Sequence, residues 1–174
     1  MSDKQPPHLH ESIRDRERLQ EIVDLGMASK HQHPALEELL DTARHTLQLP
    51  IGLVSIVLDG AQFFAVQQGL SGWLEKAGGT PVEWSFCTNV VVDEKPFIVT
   101  DAQTDERVKD NPLVTQEGIR SYAGVPLKTS KGVVLGSFCV IGSEAREFKE
   151  EDVRLLRELA AKAIRAIEQS RPDA

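Results

Sequence analysis

No segment of the sequence approaches the about 20 consecutive apolar residues that cross a bilayer, and the first residues, MSDKQPPHLHESIRDRER, lack the apolar stretch of a secretory signal. These absences predict a soluble, cytoplasmic protein. Positive charge is in short supply as well. Lys and Arg number 20 against 27 Asp and Glu, giving a formal charge of −7, and no basic stripe lies along any segment. Binding to nucleic acid or to an acidic membrane is therefore not expected. Cysteine is limited to Cys87 and Cys139, too few for a disulfide scaffold and expected as thiols in a reducing compartment. The histidines, His8, His10, His31, His33 and His45, all precede the first predicted strand. His31-x-His33 sits at a predicted helix junction with no carboxylate or thiol at ligand spacing, so it reads as capping or solvent-facing, and no metal site or cofactor is expected.

What is present suffices for one core: 40% of the 174 residues are hydrophobic. Residues 1–11 are expected to form a loose arm, residues 12–170 one domain, and residues 171–174 a disordered tail. Between Ser12 and Lys30, Ile13, Leu19, Ile22, Val23 and Met27 alternate with charges in the pattern of a helix with a narrow apolar stripe. Pro34 opens a second helix, carrying Leu36, Leu39, Leu40, Ala43 and Leu47, and Pro50 stops it. The period then changes. Ile51 to Leu58 and Gln62 to Gln67 flank Asp59-Gly60, the signature of a hairpin. Ser71 to Gly79 reads as a loop with room for a helical turn. Thr80 and Glu83 stand at capping-box spacing, and Ser85 is a second candidate cap; either choice places Cys87 in the first turns of a short helix. KPFIVTDA is a short strand ending at Asp101, after which Thr104 caps a helical turn limited by Pro112. Two β-rich runs joined by Thr129-Ser130-Lys131-Gly132 form a second hairpin, and KEEDVRLLRELAAKAIRAIEQS is a long helix with an acidic first turn. Hairpins with flanking helices predict an antiparallel sheet in an α+β domain.

The ordered series ALEELLDTARHTLQLPIGLVSIV, QFFAVQQGL, WSFCTNVVVDEKPFIVTDAQTDERVKDNPLV, IRSYAGVPL, GVVLGSFCVIG and FKEEDVRLLRELAAKAIRAI resembles the GAF domain, the small-molecule-binding module of bacterial sensor proteins, from Asp15 to Gln169. The resemblance implies a GAF-like (profilin/PAS-like) antiparallel sheet with helices on one face and a ligand cavity on the other. Phe64, Ser85, Cys87, Asn89, Asp101, Val108, Asn111 and Tyr122 would contribute to that cavity. The Asn-Lys-Phe-Asp-Glu signature of cyclic-nucleotide-binding members is absent, neither cysteine is followed by histidine as in bilin-binding members, and the cysteine set of the free methionine-R-sulfoxide reductases is not reproduced.

Cys87 has one physical route to reactivity, the dipole at a helix start, whereas Cys139 within a strand reads as a packing residue. Asp101, Asp105 and Glu106 read as a solvated acidic turn, with Asp101 facing the cavity by the resemblance. Tyr122, the one tyrosine, either orients a ligand or bonds the backbone. The stripes Leu156, Ala160, Ala163, Ile167 and Leu19, Ile22, Val23 suggest pairing of terminal helices in a homodimer. The expected function is a non-enzymatic regulatory domain that binds a small ligand or partner protein and signals to a separate output protein such as a histidine kinase or regulator. The alternatives are a thiol-based redox enzyme or sensor using Cys87, in the manner of a methionine sulfoxide reductase, and a ligand-free dimerisation scaffold.

Overall fold

The structure, a computed structural model, describes residues 6–29 and 33–171. Its frame is one six-stranded antiparallel sheet in the order β3-β2-β1-β6-β5-β4. The strands are β1 (Ile51–Val57), β2 (Ala61–Gln68), β3 (Gly79–Pro81), β4 (Phe97–Val99), β5 (Ser121–Lys128) and β6 (Val134–Gly142). Both predicted hairpins form, β1–β2 around Asp59-Gly60 and β5–β6 around Thr129 to Gly132. The central strands are covered on both faces; β6 is buried at all nine positions, so it reads as a continuous apolar run rather than an alternating one.

Two apolar layers sandwich the sheet. On one side lie α3 (Pro34–Leu47) and α7 (Glu150–Gln169), joined by α2 (Arg16–Asp24). Pro34 opens α3, and Gln48 closes it in the left-handed conformation at φ 55°. At the start of α7 the Lys149 amide donates to Asp152 Oδ2 at 3.0 Å, while three acidic residues meet the positive end of the helix dipole. On the other side lie shorter pieces: α1 (Glu11–Arg14), α4 (Gly72–Ala77), a 3₁₀ turn at Val82–Trp84, α5 (Cys87–Asp93) and α6 (Pro112–Thr115).

The structure corrects several expectations. The single helix foreseen from Ser12 is two, because Asp15 ends α1 and its carboxylate accepts the Glu17 amide at 2.8 Å to start α2. Ile13 and Ile22, placed on one stripe by sequence, consequently pack into opposite layers. Within the expected arm, Pro7–Leu9 form a 3₁₀ turn; residues 1–5, His31 and the tail beyond Arg171 lie outside the described residues. Thr80 does not cap a helix but pairs with Gln62 in β3. Ile22, Leu156, Ala160, Ala163 and Ile167, assigned to a dimer seam, are 0–3% exposed and fill the layer between the chain's own sheet and helices. Leu19 is half-buried against that layer, and Val23 alone projects outward at 58% exposure. Among the described residues no helix is long and apolar enough to cross a membrane.

Candidate functional site

The site lies on the face of the sheet covered by the short elements. Leu53 of β1, Gln62 and Phe64 of β2, Tyr122 of β5 and Ile141 of β6 form its floor. Leu70, Leu74 of α4, Phe86, Cys87 of α5, Leu113 of α6 and Ile119 form its walls and roof. Side chains nearly fill it. The space open to the centre of a water-sized sphere is ≈ 20 Å³, room for one water by the usual requirement of about 10–15 Å³. Phe86, Phe97 and Tyr122 meet edge to face, with centroids 5.3, 6.0 and 6.4 Å apart.

Buried polar side chains converge around this apolar space. Gln62 is their hub: its Oε1 accepts from Ser55 Oγ at 3.0 Å and Ser85 Oγ at 2.9 Å, and its Nε2 donates to Thr80 Oγ1 at 2.8 Å. Ser85 Oγ also accepts the Thr88 amide at 3.1 Å, which makes it the cap of α5 and aims the helix start, with Cys87, at the sheet. Cys87 Sγ lies 3.1 Å from the Tyr122 hydroxyl, which lies 3.0 Å from Ser137 Oγ. Gly124 makes room for this contact, since a Cβ there would collide with both the Tyr122 hydroxyl and Ser137 Oγ.

The electrostatics follow from that packing. Burial pushes the Cys87 thiol up, but the polar groups of its cluster, Cys139, Tyr122, Ser55 and Ser137, favour the thiolate and bring it down from 9.0 to about 7. Burial and the neighbouring Cys87 push Tyr122 and Cys139 well above their ordinary values, so both stay protonated as donors. Cys139 is thus more than the packing residue that sequence suggested: it shares one polar cluster with Cys87. Both thiols are free and buried.

Of the sequence-predicted residues, Phe64, Cys87 and Tyr122 line the cavity and Ser85 joins its polar edge. Val108 is buried in the same apolar layer without lining the space. The rest point elsewhere. Asn89 Nδ2 donates to the Phe86 carbonyl at 3.2 Å, and Asn111 caps α6 while its Nδ2 donates to the Trp84 carbonyl at 3.1 Å. Asp101 accepts from Arg120 at 2.7 Å, a bond that holds its carboxyl below the usual range. Asp105 is held low in the same way by Arg107, whose guanidinium stacks 4.5 Å over the Phe97 ring. Glu106 pairs with Lys109 at 3.0 Å, so the acidic turn is three ion pairs. Sequence reasoning missed Ser55, Gln62 and Ser137, although the lone serines inside IGLVSIV and VLGSFCVIG were a legible signal. His10 Nδ1 accepts the Ser12 amide at 3.1 Å, a capping role, and among the described residues no cluster of three His, Cys, Asp or Glu could hold a metal.

The model of a family described as the GAF domain matches residues 32–167. The chain is 39% identical over 149 residues to a cyclic di-GMP phosphodiesterase of Pseudomonas aeruginosa, an alignment that covers 84% of this chain and 24% of that protein. Among solved structures, the GAF domain of an Acinetobacter phosphoenolpyruvate-protein phosphotransferase superposes with a TM-score of 0.63 at 18% identity, covering 96% of each chain. A free methionine-R-sulfoxide reductase of Neisseria meningitidis in complex with its substrate superposes with a TM-score of 0.61 at 17% identity, covering 98% of this chain and 95% of that one. At these identities the two structures establish the fold.

Proposed function

The chain belongs to the GAF domain family, and from that premise we propose that it is a non-enzymatic sensor module holding a small, largely apolar ligand between the sheet and α4, α5 and α6. The observation that carries this reading is the one-sided convergence of Gln62, Ser55, Ser85, Tyr122, Ser137 and Cys87 around an apolar space. Apolar walls with a few fixed polar groups are the general composition of a ligand site. At ≈ 20 Å³ the space is too small for a ligand of several atoms, which enters only as the roof moves. The roof suits that motion: α4 has six residues, begins at Gly72 with φ 64° and is capped by Gly78 with φ 69°, and an exposed bond from Trp73 Nε1 to Glu117 Oε1 at 2.6 Å ties it across.

The route outward runs along β5 and β6, which carry Tyr122, Ser137 and Cys139. At their shared turn, Ser130 Oγ donates to Glu168 of α7 at 2.6 Å and Lys131 pairs with Glu21 of α2 at 3.4 Å. Arg18 of α2, buried and with its pKa brought down to about 10 by that burial, donates to the Val134 and Leu135 carbonyls at 3.4 Å. A ligand that prefers one arrangement of these strands shifts both terminal helices. The chain spans 24% of the length of the curated relative it matches, and by that likeness we assign it a regulatory role in a cyclic di-GMP phosphodiesterase system, as a homodimer.

The small free volume favours a second reading, a ligand-free scaffold. Native mass spectrometry of the purified chain separates the two. The sensor reading expects dimers carrying a co-purified small molecule that Gln62→Leu releases; a bare chain whose melting temperature no small-molecule library raises supports the scaffold instead.

A further inference from the structure

Cys87 is the first residue of α5, directed at the sheet by the Ser85 cap. Its Sγ lies 3.1 Å from the Tyr122 hydroxyl, which lies 3.0 Å from Ser137 Oγ. Cys139 follows Ser137 by two residues in β6, so the two side chains leave the same face of the sheet. Opposite Cys139 in β5 stands Gly124, which places no side chain beside it. The two thiols therefore belong to a single buried cluster, one on a helix start and one at mid-sheet, and both are free. Of the two cysteines, Cys87 lines the cavity and Cys139 does not.

We infer that Cys87 and Cys139 form a peroxide-responsive dithiol that closes to an intramolecular disulfide, joining α5 to β6 across the cavity wall. The Tyr122 hydroxyl, itself held by Ser137 Oγ, stands 3.1 Å from the Cys87 sulfur and stabilises its thiolate. The oxidant is hydrogen peroxide. The Cys87 thiolate attacks one peroxide oxygen; the S–O bond forms, the O–O bond breaks, and the leaving hydroxide takes up a proton to become water. Cys87 is then a sulfenic acid. The Cys139 sulfur attacks the Cys87 sulfur, the S–S bond forms as the S–O bond breaks, and the departing hydroxide takes the Cys139 proton as a second water. Two thiols and one peroxide give one disulfide and two waters. This chemistry needs no ligand in the cavity, so it stands or falls separately from the sensor reading.

The test is dilute hydrogen peroxide added to the full chain, then denaturation, thiol labelling and mass spectrometry of peptides. The expected result is loss of both thiols together, loss of two hydrogens from the monomer mass, and a peptide joining Cys87 to Cys139. In Cys139→Ser, Cys87 instead gains one or two oxygens; in Cys87→Ser, Cys139 stays unmodified. Circular dichroism of each variant confirms that it is folded, and the wild-type thiol count is decisive should either fail to fold. Retention of both thiols overturns the inference, as does oxygen gain at Cys87 with Cys139 still free, or a bridge only between chains.

Discussion

The two faces of the sheet are equally buried and differently made. Against α3 and α7 the sheet presents Val54, Ile56, Phe138 and Val140, met by Leu40, Leu156 and Ala163 from two long helices. Against α1, α4, α5 and α6 the same strands present Leu53, Phe64 and Ile141, with Ser55, Gln62, Tyr122, Ser137 and two cysteines among them. The first face is an apolar platform held by two long helices. The second adds a hydrogen-bonded polar cluster and a roof of pieces no longer than seven residues. Polar groups in a core are costly unless they are paired, so the concentration of hydrogen-bonded side chains on the second face marks it as the candidate site of chemistry and adjustment.

Deep truncation on the platform has the largest effect. Phe138 is fully buried there, and Phe138→Ala is expected to cost about 3–5 kcal/mol by lost contact and residual cavity, measured by urea unfolding. The same method on the polar face gives a smaller and correctable loss. Gly124→Ala forces a Cβ onto the Tyr122 hydroxyl and Ser137 Oγ and is expected to cost about 1–3 kcal/mol, part of which Tyr122→Phe restores in the double variant. Equal costs with no rescue would erase the distinction between the faces.

Tyr122→Phe alone has the smallest effect on stability, about 1 kcal/mol, and the sharpest effect on titration. Cys87 ionises at about 7 in the folded chain against an ordinary 9.0, so between those values the folded state binds fewer protons than the unfolded one. Stability from this group is therefore present above 9.0 and lost as pH falls through about 7. Removing the Tyr122 donor raises the folded value, and the gain in stability between those two pH values shrinks. Unfolding free energy and Cys87 alkylation rate, each followed against pH in both proteins, check this.

Much of the platform was legible in the sequence. The 3–4 spacing of Leu36, Leu40, Ala43 and Leu47, the stop at Pro50 and the Asp59-Gly60 turn specify local structure from local residues. The stripe on α7 was visible too, but its partner was not: periodicity reports that a face is buried and is silent on whether its own sheet or a second chain buries it. Asp15 illustrates a different limit, since one capping carboxylate redirected Ile13 to the far layer while leaving the periodic pattern intact. The candidate site was half legible. Phe64, Ser85, Cys87 and Tyr122 came through the family resemblance, whereas Asp101 was misplaced because its partner Arg120 is 19 residues away and only the folded chain brings them together. Cys139 was read as packing for the same reason: its approach to Cys87 depends on the register of β6 and the angle of α5.

Backbone hydrogen exchange, resolved by residue on the unliganded chain, tests the difference between the faces most directly. Amides of α4, α6 and the segment through Ile119 are predicted to exchange by local openings that cost much less than global unfolding, while β1, β6, α3 and α7 exchange only when the whole chain unfolds. Uniform protection across both faces would contradict an adjustable receptor built on a fixed platform.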